Sequence, residues 1–130
     1  GNPENLKQYP QLKISTWSNS TILINCSGWL IYLLAYEYLF RGVLFLGILP
    51  ILGLAKSIAL STAIYVLVHL HKGAKETFGS IPVGVLMCLI TIETGNIWAS
   101  FFIHLVMALS NDFVALYHHP EMKYKKQVGK

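Results

Sequence analysis

Charge is what this chain has least of. Only 12% of its 130 residues are charged and 54% are hydrophobic, whereas an ordinary soluble domain is about 25% charged. The mean hydropathy is +0.51. A soluble chain of this length could bury one core, but it could not hide this much apolar surface and still cover itself with polar side chains. The excess must face lipid. Cysteine is equally scarce: Cys26 and Cys88 stand far apart inside apolar segments. That spacing excludes a disulfide framework and a zinc ribbon, and both are expected to be small core- or lipid-facing residues. The opening residues GNPENLKQYPQLKISTWSNS lack the basic, apolar and small-residue order of a secretory leader. No internal repeat or low-complexity run is present.

Long apolar runs fill the rest. Four are separated by short polar or Gly/Pro breaks. Stretch A covers 20–49, closed by Pro50 and Gly53, and as a helix would be ~45 Å long. Stretch B, 54–70, sits at the lower limit of ~17 residues for a span and is expected to continue toward Lys72. Stretch C covers 78–94, with Pro82 early in it and Thr94-Gly95-Asn96 as its closing turn. Stretch D covers 97–117 and stops at His118-His119-Pro120. The expected fold is all-α, a polytopic membrane bundle of about four transmembrane helices, with a polar N-terminal tail (1–19), a membrane-embedded core (20–118) and a basic C-terminal tail (119–130). Trp17, Trp98 and Tyr117 lie near span ends, where aromatic belt residues sit.

Charge placement tests that division. Four spans put Lys7, Lys13, Lys72, Lys75, Lys123, Lys125, Lys126 and Lys130 on one side of the membrane and only Lys56 on the other. By the positive-inside rule both termini are cytoplasmic, and the cytoplasmic membrane is the expected location. The net charge of +4 then reflects topology and attraction to lipid headgroups. No nucleic-acid motif accompanies the lysines.

Against this background a few polar residues stand out. An ionisable group within a span costs at least ~2.5 kcal/mol on insertion scales and usually faces the bundle interior. Glu37 and Arg41 lie deep in stretch A at i, i+4, close enough to pair. His69 ends stretch B and His104 sits early in stretch D. His71, His118 and His119 adjoin basic or exit segments and are read as solvated. Gly42, Gly79 and Gly84 are expected to admit close helix approach.

These residues resemble a family pattern. Tyr36-Glu37-Tyr38-Leu39-Phe40-Arg41-Gly42 is similar to the EExxxR motif, often EExxFRG, of the CAAX-protease and bacteriocin-processing intramembrane proteases. Tyr65 to His69 resembles that family's FxxxH, with tyrosine for phenylalanine. Thr94-Gly95-Asn96-Ile97-Trp98, then Phe102-Ile103-His104, resembles its TGxxW stretch leading into HxxxN, and Gly79 and Gly84 precede it as they should. The resemblance covers residues 30–111. It implies a glutamic-type endopeptidase in which Glu37 orients or activates water, Arg41 positions Glu37, His69 assists and His104 stabilises the oxyanion. The substrate implied is a membrane-anchored peptide or protein in the lipid bilayer.

Two positions depart from the pattern. Tyr36 stands where the family has its first glutamate, the catalytic base, and Ala108 where it has the motif asparagine. Glu37 can act as base itself, and Asn111, two turns from His104 on nearly the same helix face, can replace the amide. Alternatively the protein only binds or escorts a partner peptide. A third class, a haem or metal carrier with His69 and His104 as axial ligands, fits the Glu37–Arg41 pair poorly. No cofactor is required by the protease reading, and a metal would have only His69 and His104 to hold it.

Overall fold

The computed structural model describes residues 3–125, with side chains from residue 6 onward. Lys126 and Lys130 of the basic tail lie outside the described residues. The elements in order are α1 (Pro3–Gln8), β1 (Thr16–Trp17), α2 (Asn19–Glu37), a π-helical segment (Tyr38–Leu46), α3 (Gly47–Leu52), α4 (Leu54–Leu67), a 3-10 turn (Leu70–Lys72), α5 (Ala74–Thr94), α6 (Trp98–His118) and β2 (Lys123–Tyr124). α2, the π segment and α3 form one continuous rod, Asn19–Leu52, of 34 residues. It runs through Pro50 and stops at Gly53, whose φ of 74° ends the helix where a side chain would be strained. Stretch A is therefore a little longer than its proline suggested.

Three helices are long and apolar enough to cross a membrane: Asn19–Leu52, Ala74–Thr94 and Trp98–His118. Only 28% of each apolar window is buried within the protein, so most of that surface needs lipid. Trp98 and Tyr117 are exposed near helix ends, as belt residues are. The fourth apolar helix, α4, has 14 residues. It ends at Leu67 and does not extend toward Lys72 as expected; Val68 closes it and a short 3-10 turn follows.

The chain forms two compact units. One comprises Gly1–Tyr32 with His104–Lys130, the other Leu33–Ile103. In the first, β1 pairs in parallel with β2, Thr16 opposite Lys123 and Trp17 opposite Tyr124. The Lys123 N–H donates to the Ser15 carbonyl at 2.9 Å and the Lys125 N–H to the Trp17 carbonyl at 2.8 Å. Trp17 is fully buried, with Tyr9, Pro10 and Met122 also buried. The segment read as a polar tail thus carries a packed core of its own, and Trp17 is no belt residue. The pairing sets the start of α2 beside the end of α6.

The second unit is held by close packing of α4 on α5. A Cβ added to Gly84 would lie 3.1 Å from Thr62 Cγ2 and 3.1 Å from Tyr65 Cδ1. Both neighbours sit on the helix and have little room to retreat, so Gly84→Ala should destabilise by about 1–3 kcal/mol, the usual cost of overpacking. Thermal unfolding in detergent checks this, with Gly79→Ala as the control. No atom comes within 4 Å of a Cβ at Gly79, and Gly42 would make only ordinary contacts. Of the three glycines expected to bring helices together, Gly84 alone does so tightly.

The TGN turn explains itself locally. Gly95 takes the left-handed conformation, φ 67°, that ends α5. The Asn96 carboxamide donates to the Thr94 carbonyl at 2.7 Å, while its oxygen accepts from the Trp98 N–H at 3.0 Å and caps α6. Just beyond, the buried hydroxyls of Thr91 and Ser100 hydrogen-bond at 2.7 Å and fix the two helices in register.

Candidate functional site

The second unit assembles a buried polar cluster inside apolar helices. Glu37 is the last residue of α2 and Arg41 the fourth of the π segment, so the pair straddles a change of helix type. Such i→i+5 segments are rare and are frequent at functional sites when they do occur. Both side chains are fully buried, and Arg41 Nε lies 3.4 Å from Glu37 Oε2. The expected ion pair is present. The Ser61 hydroxyl of α4 donates to the Phe40 carbonyl at 3.4 Å, satisfying a backbone acceptor within the π segment.

Tyr65 is the hub. Its ring is almost completely buried and carries the Arg41 guanidinium 4.5 Å from its centroid. This cation–π contact holds the charge in place where no water competes. The Tyr36 ring meets Tyr65 edge-on at 5.9 Å and stacks on Phe40 at 4.4 Å. On the other side the His69 ring lies 4.4 Å from that of Tyr65. Helix positions alone leave Glu37 and His69 at different depths, a gap expected to need tilt and an extended stretch B. The structure closes it with side chains: Glu37 to Arg41, Arg41 onto Tyr65, Tyr65 against His69.

His69 is oriented as well as placed. Its Nδ1 sits 2.8 Å from the Tyr65 carbonyl oxygen. A carbonyl only accepts, so Nδ1 carries a proton and donates it, which fixes the orientation of the ring. The ring is half-buried. Cys88 of α5, fully buried, faces Ser61 and Thr62 and lies within electrostatic reach of Arg41 and Glu37. It belongs to this cluster, which sequence spacing did not reveal.

The remaining expected residues lie on α6 in the first unit. His104 is half-buried and Asn111 is exposed. Ala108, at the place of the motif asparagine, is buried. The residue that matters structurally there is one the sequence reading passed over. Asp112 is completely buried. Its Oδ1 accepts from the Gln11 N–H at 3.1 Å, and its Oδ2 accepts from Asn25 Nδ2 at 3.0 Å and Trp29 Nε1 at 2.6 Å. The signal was available: Asp112 stands four residues after Ala108 and three before Ala115, on the face of α6 those small buried residues mark.

Among the described residues no three of His, Cys, Asp and Glu gather as a metal site. The polar cluster offers a carboxylate, a guanidinium, an oriented imidazole and several hydroxyls in a dry setting. That set suits acid–base work on water or a carbonyl.

Residues 18–110 match the family model described as type II CAAX prenyl endopeptidase Rce1-like. The match takes in Glu37, Arg41, His69 and His104 and stops short of Asn111 and Asp112. Neither the curated proteins nor the solved structures yield a match.

Proposed function

Because the chain belongs to the type II CAAX prenyl endopeptidase Rce1-like family, we propose that it is an intramembrane endopeptidase cutting a prenylated, membrane-anchored peptide with Glu37-activated water. It is an integral membrane protein, and the proposal concerns which residues do the chemistry. One observation carries it: the buried Glu37–Arg41 pair is joined through the Tyr65 ring to the imidazole of His69, whose Nδ1 is held by the Tyr65 carbonyl. In this reading Arg41 holds the Glu37 carboxylate in position. Glu37 takes a proton from water as the oxygen attacks the scissile carbonyl carbon. The proton then passes to the leaving amine nitrogen as the C–N bond breaks, with His69 assisting the transfer. His104, the histidine of the family's last motif, donates to the oxyanion.

Purified full-length chain in detergent, given a prenylated CAAX peptide, should release the C-terminal fragment, read by mass spectrometry. His69→Ala and His104→Ala should each lower kcat by about 10²-fold or more, the usual worth of a positioned acid–base or oxyanion group. Undiminished cleavage in both variants sinks the assignment.

A second reading has an observation of its own. The place of the family's first glutamate is filled by Tyr36, whose ring is stacked on Phe40 and meets Tyr65. If that aromatic packing has replaced the catalytic carboxylate, the chain binds its peptide without cutting it, and Tyr36→Glu is the change that restores cleavage.

A further inference from the structure

The net charge of this protein sits entirely at its two ends. Residues 19–118 carry four basic and four acidic side chains, whereas residues 1–18 and 119–130 together carry six lysines and two glutamates, which is the whole net charge of +4. In sequence these are two separate tails. The structure folds them into one surface.

β1 and β2 pair with Thr16 opposite Lys123 and Trp17 opposite Tyr124. Side chains alternate across a strand, and residues paired across it share a face. Met122 and Trp17 are buried, so Lys123 and Lys125 fall on the outward face with Thr16, and all three are exposed. Tyr124 lies on the other side, where its hydroxyl donates to the side-chain oxygen of Asn19, the first residue of α2. Lys7 and Lys13 are exposed in the same unit. Among the described residues no ion pair ties any of these four lysines to a carboxylate. Pairing the ends therefore gathers like charges, and their repulsion opposes it. A negatively charged partner relieves that repulsion.

The place in the fold says which partner fits. α2 begins and α6 ends at this unit, and both belong to spanning helices, so the basic face stands where the chain leaves the bilayer. Exposed apolar and aromatic side chains accompany the lysines: Ile14 beside Lys13 in the chain, Tyr117 at the end of α6, and Tyr124 between Lys123 and Lys125. Basic residues interspersed with aromatic and aliphatic ones suit a surface that meets headgroups and the acyl boundary together. A soluble polyanion would use only the charge. We infer that the paired chain ends form a folded docking surface for anionic phospholipid headgroups, with Lys123 and Lys125 on its strand face and Lys7 and Lys13 adding to its charge. Lipid that binds the closed surface better than the separated ends stabilises the pairing by mass action. Leaflet composition then sets how firmly the start of α2 and the end of α6 are held together.

The test uses the full-length chain in a neutral detergent with three probes: phosphatidylglycerol, phosphatidylcholine and inorganic phosphate. Retained lipid is counted by native mass spectrometry across a lipid titration, and stability is read by thermal unfolding. Phosphatidylglycerol should stay bound and raise the unfolding midpoint, while the other two at the same concentration should do neither. Lys123→Gln combined with Lys125→Gln should weaken phosphatidylglycerol binding by at least about tenfold, since each lysine near an anionic surface is worth about fivefold. Lys56→Gln in α4 should leave it unchanged. Equal response to the two lipids, or native-strength binding by the double lysine variant, overturns the inference. Inorganic phosphate acting as well as phosphatidylglycerol reduces the surface to an anion site and overturns the lipid assignment. Trp17→Ala keeps every lysine but removes the core beneath the strands, and it should bind more weakly. Undiminished binding in that variant would show the lysines acting as loose tails and would overturn the folded surface. The two lipids and the lysine variant decide even if Trp17→Ala fails to fold.

Discussion

Glu37→Gln should reduce cleavage of the prenylated peptide by about 10²- to 10⁴-fold, the range lost when a positioned acid–base group is removed. The substitution is nearly isosteric, so packing is kept while the charge goes. It also strands the Arg41 guanidinium, fully buried 3.4 Å away. Removing one member of a buried pair costs about 3–5 kcal/mol, and a loss of activity from that single variant is therefore ambiguous. Glu37→Gln combined with Arg41→Met resolves it. Replacing both charges by neutral groups of similar volume is often neutral or stabilising. The double variant should regain thermal stability and stay inactive, with turnover counted per folded molecule. A stable, active double variant would show that Glu37 holds helices together and takes no part in the reaction.

The second large effect is expected far from any catalytic proposal. Asp112→Asn should destabilise the protein by about 2–4 kcal/mol, unusually much for so small a change. The carboxylate accepts from a backbone amide, a carboxamide and an indole, three neutral donors, and among the described residues no cation pairs with it. Hydrogen bonds to a charged group contribute roughly 1.5–3 kcal/mol each. An asparagine offers one acceptor oxygen, so its NH2 must point at a donor whichever way it turns. Thermal unfolding in detergent measures the effect, and a double-variant cycle with Trp29→Phe should show coupling of at least about 0.5 kcal/mol. Unchanged stability in Asp112→Asn would mean that the network is not maintained in solution.

The contrast between Glu37 and Asp112 shows what sequence could and could not deliver. Apolar runs and lysine placement were enough for an all-α membrane fold, because length and hydropathy are what a bilayer selects. Glu37, Arg41 and His69 were visible because ionisable groups in such runs are costly and rare. The structure adds the connecting ring of Tyr65, which was noticed only as a variant motif letter. The π segment left no trace, since Leu39-Phe40-Arg41-Gly42-Val43-Leu44 suits an α-helix equally well and packing decides the helix type. The paired ends of the chain were missed for a similar reason. Two-residue strands such as Thr16–Trp17 are too short to show any periodicity. Asp112 sits beside Asn111 in the sequence, yet one residue on a helix is a turn of about 100°, which separates a buried carboxylate from an exposed amide.

Helix α4 has one more consequence. Its 14 residues reach ~21 Å at 1.5 Å per residue, against a hydrocarbon thickness of ~30 Å. A mismatch of that size is relieved by thinning the bilayer locally or drawing polar headgroups inward. Just past the last residue of α4, Leu67, come His69, His71 and Lys72. Headgroup water would then come nearest at the segment that carries His69, whose ring lies against that of Tyr65. The proposed hydrolysis would need water inside the bilayer, and the thinning beside one undersized helix would offer it a way in. Bilayers of longer-chain lipids, which deepen the mismatch, and shorter-chain lipids, which erase it, should then give different turnover for the same protein.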